Sequence, residues 1–167
     1  MNALAKLRKG IDTVLSYACA IVFALMVCVG TYQVVARYIF NNPSTVSEEL
    51  LTYSFTWMAL LASALVFGKR DHMRMGFVAD KLQGKTKLVL EVIIELLVIL
   101  MVVGIMIFGG TSIVQLTMTQ TTASLGIPMG IVYTIIPVSG VLIFVYGIMN
   151  IIDLCRGTGH GQSDGKE

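Results

Sequence analysis

Charge is what this 167-residue chain has least of. No Asp, Glu, Lys or Arg occurs between Leu96 and Ile152, none between Thr13 and Ala36, and none between Leu50 and Gly68. Charged residues make up 13% of the chain, against about 25% in ordinary globular domains. Hydrophobic residues make up 56%, and mean hydropathy is +0.81. A soluble domain of this length cannot bury such runs, whereas a bilayer can. The same scarcity restricts function. Transport and redox chemistry inside a membrane rely on ionisable or metal-binding side chains at membrane depth.

Other scarcities exclude particular chemistries. The two histidines, His72 and His160, both lie outside the apolar runs, which excludes axial haem ligation within the membrane. Cys19, Cys28 and Cys155 have no partners at metal-site or disulfide spacing. Quinone-linked thiol oxidation is thereby excluded, and the cysteines read as small apolar filler. A proton-coupled exporter needs a carboxylate deep in a helix, and only Glu95 comes close, near one end of its run. There is no phosphate loop, zinc spacing or serine elbow. The expectation is a protein that is not an enzyme, with no cofactor, no metal and no nucleic-acid partner.

The bare runs can be counted in units of about 20 residues, the length of one spanning helix. Two runs hold one span each, and the long run, extended back to about Val89, holds two. The expected fold is an all-α integral membrane protein with four transmembrane helices and a short amphipathic interfacial helix between the second and third. The spans are expected at about 14–36, 46–68, 88–118 and 128–152, within a single membrane domain 1–156, followed by a flexible cytoplasmic tail 157–167.

The few charges set an orientation. Lys6, Arg8 and Lys9 precede the first span, and Lys69, Arg70, Arg74, Lys81, Lys85 and Lys87 lie between the second and third. The loop near 119–127 is uncharged. The positive-inside rule places both termini and the middle loop in the cytoplasm, with loops one and three facing outward. Residues 73–88 alternate apolar Met75, Val78, Ala79 and Leu82 with basic Arg74, Lys81 and Lys85. Such a segment can lie among headgroups with its cations toward anionic lipid, and a plain solvated loop is the alternative.

Turn and cap signals fill in the rest. Asn41-Asn42-Pro43-Ser44 reads as a turn. Thr45-Val46-Ser47-Glu48 matches a capping box at the start of span two. Glu91 and Glu95 are expected in the first turns of span three, which is long enough to need tilt or a break. Pro128 suits the first turn of span four, and Pro137 should kink it. Ala20-x-x-x-Ala24, Ala59-x-x-x-Ser63, Ala64-x-x-x-Gly68 and Gly126-x-x-x-Gly130 are small-residue patterns that let helices approach closely in lipid, within this chain or against a partner. In the first outward loop Arg37 can snorkel to headgroups and Glu48 can cap its helix. The alternative is a polar network of Arg37, Ser47, Glu48 and Glu49, with Trp57 below it, that fixes the outer ends of two helices and faces a partner.

At these residues a resemblance enters. Ala36-Arg37-Tyr38-Ile39-Phe40-Asn41-Asn42-Pro43, followed by Ser47-Glu48-Glu49-Leu50, resembles the small membrane subunit of TRAP transporters, the DctQ-like family. Trp57, Gly68-Lys69-Arg70-Asp71-His72, Leu125-Gly126-Ile127-Pro128, Tyr133 and Pro137 follow in the same order. Val46 departs from the pattern, standing where many members carry Trp. The resemblance implies a tripartite system in the bacterial inner membrane. In it a periplasmic substrate-binding protein captures an organic acid, typically a C4-dicarboxylate or a sialic acid. A large multi-span membrane subunit then imports it, usually with sodium. The small subunit would scaffold the large one and help dock the binding protein. Partner docking would fall to Arg37, Ser47, Glu48, Glu49 and Trp57, lipid contact to Arg74, Lys81 and Lys85, and helix packing to Gly126, Pro128, Gly130 and Pro137. The competing reading is a self-contained four-helix channel or exporter acting as a homo-oligomer.

Overall fold

The computed structural model describes residues 3–69 and 85–155. Helix α1 runs Ala3–Tyr38 and α2 runs Thr45–Lys69. Helix α3 runs Lys85–Met101 and passes into π-helical turns over Val102–Gly109, then into α4, Gly110–Thr117. After a loop, α5 covers Met129–Tyr133 and α6 covers Ile135–Cys155. Among the described residues, four stretches are long and apolar enough to cross a bilayer: Lys6–Tyr38, Thr45–Gly68, Val92–Thr117 and Met129–Leu154. The segment expected as the interfacial helix, 73–88, lies outside the described residues up to 84, and its last four residues, 85–88, begin α3.

The basic N-terminal arm is not separate from span one. No Pro or Asn interrupts 3–38, and the isolated glycines Gly10 and Gly30 do not break a helix, so α1 is continuous. Its 36 residues reach about 54 Å, well beyond a hydrocarbon core of about 30 Å. Asn41 closes the turn after it in the left-handed region, φ 50°, which a short polar side chain tolerates. Helix α2 is capped one residue earlier than the expected box. The Ser47 N–H donates to Ser44 Oγ at 3.4 Å, and the Ser47 hydroxyl returns a bond to the Ser44 carbonyl at 2.9 Å. Ser44 follows Pro43, which keeps the chain out of helical geometry until this point.

The helices pack as a row in the order α1, α2, α6, α3. The last span in sequence is therefore an inner one. In its apolar stretch 44% of residues are buried, against 6–11% in the other three. Leu15, Ala64, Val102, Ile143, Tyr146 and Met149 form the core. Water expulsion does not drive helices together in lipid, so close packing must hold them. Small residues supply it along α6: a Cβ on Gly140 would lie 2.9 Å from Met106, and one on Gly147 would lie 2.7 Å from Ile99.

Span three keeps one face toward α6 by changing helix type. Its buried residues Glu95, Val102 and Gly110 are spaced by seven and then eight. At 3.6 residues per turn, seven residues return to nearly the same face and eight overshoot by about 80°. The wider π turns over 102–109 absorb the extra residue. Helix α3 begins at Lys85, which puts Glu91 and Glu95 in its second and third turns, and Glu95 is buried, 3% exposed. Pro137 falls in the first turn of α6 and has no N–H for the Tyr133 carbonyl. Thr134, the turn residue between α5 and α6, keeps its ladder bonds, donating to the Gly130 carbonyl at 3.1 Å and accepting from the Val138 N–H at 3.3 Å. Pro128 is the residue before α5 rather than its first, with ψ 127°.

Close approach is also severe at Gly130, where an added Cβ would lie 2.8 Å from the Val114 carbonyl, a backbone atom that cannot step aside. Gly104 meets nothing within 4 Å. Gly130→Ala is therefore expected to destabilise by about 1–3 kcal/mol. Gly104→Ala should stay within about 0.5 kcal/mol. Thermal unfolding in detergent distinguishes the two.

Candidate functional site: polar clamps at the two ends of the bundle

One end of the bundle carries the loops 39–44 and 118–128, and there Glu49 is the organising group. It lies one helical turn into α2, and its carboxylate reaches across to the second loop. The backbone N–H groups of Ser124 and Leu125 donate to its Oε2 at 2.8 and 3.1 Å. The Tyr53 hydroxyl, one turn further along α2, donates to Oε1 at 2.6 Å. Two adjacent backbone donors converging on one oxygen require the loop to fold back on itself. Gly126 allows this, with φ +67°, a region that other residues seldom adopt. Gly126 thus serves the turn and not a packing face, since a Cβ there would touch nothing.

Thr122 closes the same turn. Its N–H donates to the Ile127 carbonyl at 2.8 Å, and its buried hydroxyl accepts from the Ile127 N–H at 3.1 Å. The Met129 N–H donates to the Gln120 carbonyl at 2.8 Å. Deeper in the bundle, Trp57 Nε1–H donates to the Val132 carbonyl at 3.0 Å. That carbonyl lies two residues before Thr134, the turn residue between α5 and α6. Glu49 and Trp57 therefore bind α2 to the loop and to α5, 75 residues away in sequence.

The other expected residues fall in different places. Arg37 is exposed at the end of α1, and among the described residues it forms no ion pair with Glu48 or Glu49. Glu48 is exposed, and its carbonyl accepts from Thr52 at 3.0 Å. Ser47 is buried, with its hydroxyl turned to its own helix start. Arg74 and Lys81 lie outside the described residues, as does the side chain of Lys85.

A second clamp, at the end that carries the termini, is absent from the sequence reading. Arg8 of α1 donates to Asp153 Oδ2 and Asn150 Oδ1 of α6, both at 3.2 Å, and to the Gly68 carbonyl of α2. One turn along α1, Asp12 accepts from the Tyr146 hydroxyl. The Tyr146 ring lies directly on Gly68, where an added Cβ would sit 2.6 Å from it. Three helices are joined by one guanidinium and one phenol. The sequence carried a signal for this: Arg8 and Asp12, one turn apart, face Asp153 at the far end of the last span. Read only as a marker of topology, Arg8 did not reveal it.

Both clamps hold helices, and neither presents a nucleophile beside a base. The fold and its clamps define a multi-pass membrane protein whose polar groups fix its own shape. Residues 26–157 match the family described as "Tripartite ATP-independent periplasmic transporters, DctQ component". The chain belongs to this family, as a small permease subunit of a tripartite transporter, and is not an enzyme. It is 29% identical over 153 residues to the sialic acid TRAP transporter small permease protein SiaQ of Vibrio cholerae serotype O1, covering 92% of this chain and 88% of that one. It is 27% identical over 149 residues to a candidate TRAP transporter small permease protein of Haemophilus influenzae, covering 89% and 92%.

Glu49→Ala is expected to leave the Ser124 and Leu125 amides without their acceptor. Deuterium uptake at 122–127 should then rise several-fold, with uptake in α6 unchanged. Trp57→Phe keeps an aromatic ring and loses one hydrogen bond, a destabilisation of about 0.5–1.5 kcal/mol. At the other end, Asn150→Ala removes a buried acceptor from Arg8 and should cost about 1–3 kcal/mol, read from the unfolding midpoint in detergent.

Proposed function

We propose that this chain is the non-catalytic scaffold of an importer for an organic acid of the C4-dicarboxylate or sialic acid class, driven by sodium. It holds the fixed part of a large membrane subunit while that subunit's transport domain moves. Its loops 39–44 and 118–128 form part of the docking face for a periplasmic substrate-binding protein. The observation that carries this reading is the row of helices. Three of the four spans bury only 6–11% of their apolar stretches within the chain. Such spans suit a protein that lies alongside another.

The exposed side of α2 is the face best shaped for the large subunit. Ala59, Ala62, Ser63, Val66 and Phe67 line a shallow groove there. In lipid, small residues let a neighbouring helix approach closely. Ala64 and Gly68, by contrast, are buried and serve packing within the chain. The orientation rests on the basic residues. The termini and the 73–88 segment face the cytoplasm of a bacterial inner membrane, with Arg74, Lys81 and Lys85 toward anionic lipid.

Two double variants separate the roles. Ala59→Leu with Ser63→Leu is expected to reduce the large subunit recovered with the tagged chain, while the chain itself remains folded. Glu48→Gln with Glu49→Gln should leave that recovery intact and lower uptake by reconstituted vesicles. Unchanged recovery in the first case would exclude the α2 groove. Unchanged assembly and uptake in the second would exclude the loop reading.

A further inference from the structure

Two irregularities of the backbone lie side by side at one depth of the bundle. In span three the π turns occupy Val102–Gly109. In span four Thr134 is a turn residue between α5 and α6, and Pro137 has no N–H to offer the Tyr133 carbonyl. The two meet at Gly110, where an added Cβ would lie 3.0 Å from Ile136 and 3.1 Å from the Pro137 ring. Beyond this level come α4, the loop 118–128 and α5.

These three pieces are bound to one another. Gly130 of α5 lies against Met118 and the Val114 carbonyl, and 120–122 is hydrogen-bonded to 127–129. They have less hold on their surroundings. Helix α4 packs chiefly on α5 and on the π turns, and only slightly on α6. Hydrogen bonds of Glu49 and Trp57 join this unit to α2.

We infer that α4, the loop and α5 form a cap that swings as one body about the π turns and the Thr134–Pro137 turn, with Glu49 as the latch that holds it to α2. Each connection of the cap bends where the regular i→i+4 ladder is already altered, by the wider π turns in span three and by the bond that Pro137 cannot donate in span four. π-helical turns are rare, and an eight-residue run is long for them. Passing the extra residue along the run turns whatever lies beyond it. The latch sits at the loop end, where water can replace its hydrogen bonds, so release there carries a small net penalty. Any partner that competes for Glu49 or for the 124–125 amides therefore shifts the cap. The device depends only on the chain's own geometry and not on the transport reading above.

Distance measurement between spin labels tests it, on the full chain in lipid nanodiscs with Cys19, Cys28 and Cys155 replaced by Ser. Labels at Thr45 and Ala123 span the latch, and labels at Thr52 and Val141 join α2 to the fixed α6. Glu49→Ala should lengthen or broaden the first distribution by several Å and leave the second unchanged. Tyr53→Phe, a milder variant that keeps the ring, should do the same to a smaller extent. Adding Pro137→Ala, which restores the missing N–H, should narrow the distribution again. An unchanged Thr45–Ala123 distribution in both latch variants would overturn the latch. Equal broadening of both pairs would show a loosened bundle and overturn the cap as a separate body. Failure of Pro137→Ala to narrow the distribution would overturn the hinge.

Discussion

The structure depends on how closely α6 can approach its neighbours. In water, apolar helices associate because water is expelled; in lipid that drive is absent and contact geometry has to suffice. Helix α6 meets α2 at Gly68, under the Tyr146 ring, and meets span three at Gly140 and Gly147. Those contacts place the last span inside the row and leave α1 at one edge and span three at the other. The exposed apolar faces follow from this order. So do the two clamps, because each bridges helices that the α6 contacts have already brought near.

The clamps act at opposite ends and by different means. At the termini end a permanent cation, Arg8, gathers acceptors from two helices. At the loop end a carboxylate, Glu49, gathers donors from its own helix and from a distant loop. The first is built from side chains that lie along packed helices. The second holds a turn attached to the bundle through an irregular helix on each side. On the proposed reading, the firm end faces the cytoplasm and the yielding end faces the binding protein.

The four spans were legible because a bilayer forbids charge, and charge is visible residue by residue. The family was legible from the loop residues 36–50 and the turn before span four. Contacts between distant residues were not legible. Glu49 stood out as a loop charge, but its partners are backbone amides, which no side-chain pattern marks. Arg8 stood out as part of a basic cluster, and that reading concealed its structural role. The helix start near Ser44 was misplaced by one residue because Thr45-x-x-Glu48 and Ser44-x-x-Ser47 overlap, and Pro43 decides between them. The π turns lie in an apolar run whose only marks are Gly104, Gly109 and Gly110, and glycines are common in spans.

On the proposed reading, a row of helices with bare outer faces is a subunit that depends on another chain for transport. Flux measured through vesicles that contain this chain alone tests that claim most directly. The account predicts uptake of sodium and of organic acids no faster than in empty vesicles, at every ratio of protein to lipid. Flux that rises in proportion to the amount of chain would contradict it, and would make this protein a channel or exporter in its own right.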